Sequence, residues 1–220
     1  MSEEHRHDPE PSCCFDAWVP AWEHKSKRRA TIAGVTAPLL DALVEAGIEG
    51  RTVLDVGCGI GDLSMAALGR GAERATGIEL SPKAIEVGTA IALERGLQDR
   101  MTFRAGDGSK VDLPSADVVV LNRVVCCYPD IESLVSHSLA AARSVYAFTA
   151  PPSSGIAGAF VRVFGWFSNG WYRLRERKFR GFRVFVHDID RIDERVRAAG
   201  FHPVRRERQR LVWHLAVYTR

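Results

Sequence analysis

The stretch Thr52-Val53-Leu54-Asp55-Val56-Gly57-Cys58-Gly59-Ile60-Gly61-Asp62 decides the fold. Its first five residues form a short, nearly continuous apolar run, as expected of a buried parallel strand. Three glycines at alternate positions follow, and a helical pattern runs from Asp62 to about Leu68. A strand that passes through a glycine turn into a helix is the phosphate- or nucleotide-facing corner of an α/β sheet.

The same alternation continues outward. Arg74 to Ile78 reads as a second strand. Ser81 and Pro82 open a helix to about Arg95, serine as cap and proline in the first turn. Strands are expected at 101–105, 117–121 and 144–149, with a helix from Asp130 to about Ala142. Near the C-terminus a helix is expected from about Asp188 to Ala199, a strand from Phe201, and a final strand over Leu211 to Tyr218. Strands alternating with helices in this way build βαβ units on a parallel sheet. Upstream, Ile32, Val35, Leu39, Leu40, Leu43 and Val44 recur near helical spacing, so one helix is expected from Lys25 to about Ala46.

The domain reading is an N-terminal arm over 1–24 and a single domain over 25–220. After Pro151-Pro152 the character changes, and residues 153–183 read as a lid-like insertion. Gly155 to Trp171 is apolar and aromatic. Trp171 to Arg183 then carries Arg173, Arg175, Arg177, Lys178, Arg180 and Arg183 against one acid, Glu176. A lid over an apolar, anionic substrate fits both halves, and so does peripheral docking on an anionic membrane surface.

Hydrophobic residues make up 46% of the 220, and charged residues 26%, which describes a folded globular chain. The net charge of +3 is too small to imply a nucleic-acid partner. There is neither an eighteen-residue apolar run nor a secretory signal pattern, so a cytoplasmic location is expected. Five cysteines, Cys13, Cys14, Cys58, Cys126 and Cys127, make a poor disulfide framework and fit a reducing compartment. Neither adjacent pair has C-x-x-C spacing, so no metal ligand is assigned.

The loop's chemistry narrows the ligand. A dinucleotide fingerprint spaces its glycines G-x-G-x-x-G and holds a pyrophosphate at the helix N-terminus. Here the spacing is Gly57-x-Gly59-x-Gly61, and Asp55 stands two residues before the first glycine. That carboxylate would repel a pyrophosphate. It suits the ammonium of S-adenosylmethionine instead, and the glycines let the backbone approach without a Cβ in the way. Glu79 follows at the end of the second strand, where an acid can accept both ribose hydroxyls. Asp107, in Ala105-Gly106-Asp107-Gly108 after the third strand, can accept the adenine amino group.

With these motifs the chain resembles the class I S-adenosylmethionine-dependent methyltransferases, best over about residues 30–150. The resemblance implies an α/β, Rossmann-like fold. It has a seven-stranded, mostly parallel sheet with an antiparallel last strand and helices on both faces. It also implies S-adenosylmethionine as cofactor. The cofactor set is then Asp55, Gly57, Cys58, Gly59, Gly61, Asp62, Glu79, Leu80, Gly106, Asp107, Gly108, Asn122 and Arg123; by position alone, Arg28 or Arg29 is expected to reach the cofactor carboxylate from the N-terminal helix.

The slot after the fourth strand reports on the acceptor. It reads Leu121-Asn122-Arg123-Val124-Val125-Cys126-Cys127-Tyr128-Pro129-Asp130. It lacks both the Asp/Asn-Pro-Pro-aromatic signature of base-amino methylation and the Pro-Cys pair of cytosine-ring enzymes. A small organic acceptor is expected, methylated at a carboxylate or hydroxyl oxygen. This slot, with Trp22 to Arg29, is similar to the magnesium-protoporphyrin O-methyltransferase group, although Cys127 stands where that group tends to carry histidine. A base is needed only if the acceptor must lose a proton. His187, Tyr128 and Cys127 are the candidates for roles in catalysis, with His24 behind them. Two other readings stay open. One is thiol or metalloid methylation through Cys126 and Cys127, whose pKa values a nearby helix start would lower. The other is a cofactor-binding module without catalysis.

Overall fold

In the computed structural model the described residues are 13–28, 33–175, 179, 181–209 and 213–220. Seven strands form one sheet: β1 (Thr52–Val56), β2 (Arg74–Glu79), β3 (Met101–Ala105), β4 (Ala116–Leu121), β5 (Ala142–Ala150), β6 (His202–Gln209) and β7 (Trp213–Thr219). Their spatial order is β3-β2-β1-β4-β5-β7-β6. β1 pairs in parallel with both β2 and β4, and the remaining pairs out to β3 and β5 are parallel too. β7 runs antiparallel to both β5 and β6, so it is the one reversed strand. The sheet expected from the resemblance is therefore the sheet observed.

Strand alternation sorts the core onto two faces. Val53, Val118 and Val120 face one apolar cluster, shared with α2 (Thr36–Glu45), α3 (Asp62–Gly69) and α4 (Pro82–Glu94). Leu54, Val56, Val119 and Leu121 face the other, closed by α5 (Ile131–Ala141) and by α7 (Ile189–Ala198). Asp117 fixes the lower ends of β1 and β4 by accepting from Thr52 N at 2.9 Å and Thr52 Oγ1 at 2.7 Å. Ser81 caps α4 by accepting from Ala84 N at 3.1 Å, and Pro82 occupies the first turn.

Two expectations about the N-terminal region need correction. The single helix from Lys25 to Ala46 is two helices, α1 (Val19–Arg28) and α2, with Gly34 between them at φ 73°. The arm boundary at residue 24 falls inside α1. Its first residue, Val19, is fully buried in the core, and Trp22 packs against the same cluster. Residues 1–12 of that arm lie outside the described residues.

The insertion contains a long helix, α6 (Gly155–Leu174). No helix among the described residues is long and apolar enough to cross a membrane. Aromatic contacts join the insertion to the N-terminal segment: Trp18 lies 5.5 Å from Phe179 and 5.8 Å from Phe182, ring centre to ring centre.

Candidate functional site

A cleft of about 1410 Å³ opens at the carboxyl ends of β1, β2 and β4. That is where an open α/β sheet reverses its strand order and takes its ligand. Its floor is the glycine loop. Gly57 (φ 76°) and Gly59 (φ 58°) both line the cleft in left-handed backbone. Gly61 (φ 80°) does not line it and serves packing: a Cβ there would stand 2.7 Å from Phe103 Cζ. Cys58 lines the cleft, and its Sγ needs the absent side chain of Gly77, whose Cβ would meet it at 2.5 Å.

Asp55 stands at the root of the loop and is 1% exposed. Its Oδ2 accepts from Ser64 Oγ at 2.8 Å, while Oδ1 is buried without a hydrogen-bond partner. Burial pushes its carboxyl up to about 7, opposed by the Ser64 bond. A buried carboxylate oxygen with no donor is costly, and it fits a cationic ligand that supplies one.

Glu79 is buried at the end of β2, and its two oxygens are held by the backbone. Oε2 accepts from Gly59 N and Oε1 from Ser81 N, each at 2.9 Å. Burial raises its pKa and these bonds oppose the rise. Glu79 thus ties the glycine loop to the start of α4, and a ribose hydroxyl would bond the lone pairs left over. Glu79→Gln puts an amide donor against one of those N–H groups. The expected cost is roughly 1–3 kcal/mol in stability, with a matching loss of S-adenosylhomocysteine affinity. Thermal melting and calorimetry measure both; an unchanged melting point would show that the carboxylate does not hold the loop.

The other expected residues divide. Asp62, Leu80, Gly106, Gly108, Asn122 and Arg123 line the cleft. Asp62 accepts from Ser26 Oγ at 2.6 Å, and Arg95 donates to the same oxygen at 3.0 Å, so α1 is tied across the cleft edge. Asn122 accepts from Thr149 Oγ1 and donates to Thr36 Oγ1, both at 3.1 Å. Arg123 takes the left-handed conformation at φ 63°. Asp107 is not among the lining residues. Its Oδ1 accepts from Tyr128 OH at 2.8 Å and from Ser109 N and Oγ at 3.0 Å, and its Oδ2 lies 3.2 Å from Lys110 Nζ. Burial alone would raise its pKa, but these donors hold it below the ordinary range. Arg28 ends α1, and its side chain lies outside the described atoms, as does Arg29.

Of the residues expected to act in catalysis, Tyr128 and Cys127 line the cleft and His187 does not. His187 Nε2 sits 2.8 Å from Tyr128 O, and its ring stacks on Phe185, so it buttresses the loop after β4. Cys126 and Cys127 hold their sulfurs 3.3 Å apart. The contact between the two thiols lowers the pKa of Cys126, and with burial it raises that of Cys127.

Several lining residues had no short-range signal. Phe15, Trp18 and Trp22 come from the N-terminal segment, and Phe164, Tyr172 and Phe182 from the insertion. Trp18 Nε1 is buried without an acceptor. The aromatic density of residues 153–183 was the one available hint.

Comparison with known proteins agrees with this geometry. A family described as "Methyltransferase domain" matches residues 53–144. The ribosomal protein L11 methyltransferase of Pectobacterium carotovorum subsp. carotovorum is 39% identical over 101 residues, 46% of this chain and 34% of that one. The chain thus spans about a third of the length of the curated relatives it matches. Among solved structures, the magnesium protoporphyrin IX methyltransferase of Synechocystis with bound SAH aligns with TM-score 0.65 at 18% identity, covering 97% of this chain and 90% of that one. The cyclase SpnF aligns with TM-score 0.70 at 16% identity, covering 94% and 93%. At such identities the structural likeness carries the fold alone.

Proposed function

The chain carries a class I, S-adenosylmethionine-dependent methyltransferase domain, and from that premise we propose that it methylates a small organic acceptor at oxygen. The observation that carries this reading is the composition of the cleft above the glycine loop. Phe15, Trp18, Phe164, Tyr172, Phe182 and Val184 give it aromatic and apolar walls. Arg123 and the unpartnered Trp18 Nε1–H are the groups there suited to an acceptor's oxygen or carboxylate. Such a lining favours a flat, largely apolar molecule with a few fixed polar contacts.

The fit to the donor is direct. S-adenosylmethionine supplies an activated methyl group on a sulfonium. Asp55 would take its ammonium, the backbone of Gly57 and Gly59 would let it approach, and Glu79 would take the ribose. Methyl transfer is then a displacement in line, and the protein's contribution is alignment and the exclusion of water. A carboxylate acceptor needs no base. A hydroxyl acceptor would have Tyr128 nearby, but that phenol already donates to Asp107, and burial with the Asp107 charge raises its pKa. A carboxylate acceptor therefore fits this wall better. A cytoplasmic location belongs to the same proposal, since all five cysteines are free.

The L11 methyltransferases bear the name of a protein substrate. The matched family region ends at residue 144, before α6, so the aromatic wall from the insertion lies outside it. The cleft favours a small molecule.

The test is methyl transfer from labelled S-adenosylmethionine across a panel of aromatic carboxylates, phenols, thiols and arsenite. Oxygen acceptors should be labelled. Labelling of thiols or arsenite alone, or no labelling despite tight cofactor binding, would overturn the proposal. A second check uses the cysteine pair. Cys126→Ser with Cys127→Ser should leave oxygen methylation within roughly threefold, about 0.7 kcal/mol. Complete loss of turnover in a folded double variant would favour thiol chemistry.

A further inference from the structure

α6 is turned the opposite way from a helix of an ordinary globular surface. Among its residues only Gly158 and Gly165 are buried. Ile156, Phe160, Val163, Phe167, Trp171 and Leu174 are exposed, Ile156 by 92% and Leu174 by 87%. At roughly 100° per residue these six fall within about 80° of arc, one continuous apolar stripe facing solvent. Trp166, 71% exposed, flanks it. A stripe of this size is rare on a protein that stays surrounded by water.

The orientation is built in. Asn169, on the inner side of α6, donates to Val184 O at 2.9 Å and accepts from Val184 N at 2.7 Å. Gly158 lies against the chain at Ser153, where a Cβ would stand 2.5 Å from the carbonyl carbon. The helix therefore touches the body through Gly158, Asn169 and Tyr172, which packs 4.9 Å from Phe182 ring centre to ring centre, and it cannot roll the exposed stripe inward without breaking these contacts.

Charge decides what covers the stripe. α6 carries no Asp or Glu. From Arg162 to Arg183 the sequence has seven basic residues against one acid, Glu176. Arg175 lies over the Trp171 ring at 4.8 Å, beside the stripe. A second copy meeting this face about a twofold axis would bring the same basic residues together. An anionic lipid surface supplies the opposite charge and takes up aromatic side chains at its headgroup boundary.

We propose that α6 lies flat on an anionic lipid bilayer, its aromatic stripe in the headgroup–acyl boundary and Arg175, beside Trp171 at its C-terminal end, among the headgroups. Phe164 and Tyr172 of the same helix line the cleft, so docking sets the cleft mouth beside the lipid.

Sedimentation of the full chain with vesicles tests this. One set is phosphatidylcholine alone and the other is equimolar phosphatidylcholine and phosphatidylglycerol. Binding should be at least roughly tenfold stronger to the anionic set and weaken at high salt. Phe160→Ser with Phe167→Ser should reduce it by at least roughly tenfold while leaving S-adenosylhomocysteine affinity unchanged. That unchanged affinity shows that the variant is folded and separates this proposal from the acceptor reading. Absence of vesicle binding overturns the proposal, as does equal binding by the variant. A dimer that the two substitutions dissolve, without vesicle binding, assigns the stripe to a second copy instead.

Discussion

Asp55→Asn is expected to weaken S-adenosylmethionine binding and, at pH 8, to stabilise the unliganded protein. Both effects come from one oxygen. Oδ1 of Asp55 is buried without a partner, and burial holds the carboxyl at about 7. An unfolded aspartate titrates near roughly 3.9. Between those values the folded chain binds more protons than the unfolded chain, so stability falls as pH rises from about 4 to about 7 and is level above. At pH 8 the buried carboxylate therefore costs the free protein on the order of a few kcal/mol. Asparagine removes that cost and should raise the melting point. The bound state is different, because the cofactor's ammonium supplies the missing countercharge and donor. Losing a hydrogen bond between charged groups costs about 1.5–3 kcal/mol, roughly 10- to 150-fold in Kd. The pH profile gives a second readout. Binding needs the ionised carboxylate, so wild-type affinity should drop about tenfold per unit below pH ~7, and Asp55→Asn should lack that limb. Calorimetry over pH 5.5–8 with thermal melts decides it (the range is roughly that of the titration). Wild-type affinity and an unaltered profile in the variant would remove Asp55 from the cofactor site.

What the sequence made legible follows from the range of the interactions. The apolar strand runs and helical patterns, the Ser81-Pro82 helix start and the glycine loop flanked by Asp55 and Glu79 are local signals, and they located the sheet and the cleft floor. Side-chain direction is not local. His187 stands beside Asp188 in sequence, but its ring turns to Tyr128 O, fifty-nine positions away in the chain. Asp107 occupies the expected position after β3, yet Ser109 and Tyr128 claim its carboxylate. The N-terminal segment read as an arm because Trp18, Val19 and Trp22 show little period over so few residues. Their partners are Phe179, the core and Gly59. The apolar stripe of α6 was visible as composition, but its outward direction depends on Asn169 bonding Val184, which no periodicity reports.

The glycines show the same division and support the other large effect. Gly57→Ala is expected to lower stability by roughly 2–5 kcal/mol, from two separable sources. The backbone at Gly57 has φ 76°, where a Cβ costs about 1–2 kcal/mol. That Cβ would also stand 2.4 Å from Val124 Cγ2 and 3.1 Å from Cγ1, an overpacking worth roughly 1–3 kcal/mol. For a chain of this size the melting point should fall by roughly 5–15 °C. Val124→Ala trims the obstructing methyl groups. The double variant should recover the packing share and keep the backbone share, giving a coupling of roughly 1–3 kcal/mol between the two positions. Gly34→Ala isolates the backbone share, because Gly34 has φ 73° and nothing within 4 Å of its Cβ position. It should cost about 1–2 kcal/mol and show no coupling to Val124. If Gly57→Ala melts like the wild type, or if trimming Val124 recovers nothing, the close approach of the loop to Val124 is wrong. The shape of the cleft floor would then have to be redrawn, since Gly57 and Val124 both line it.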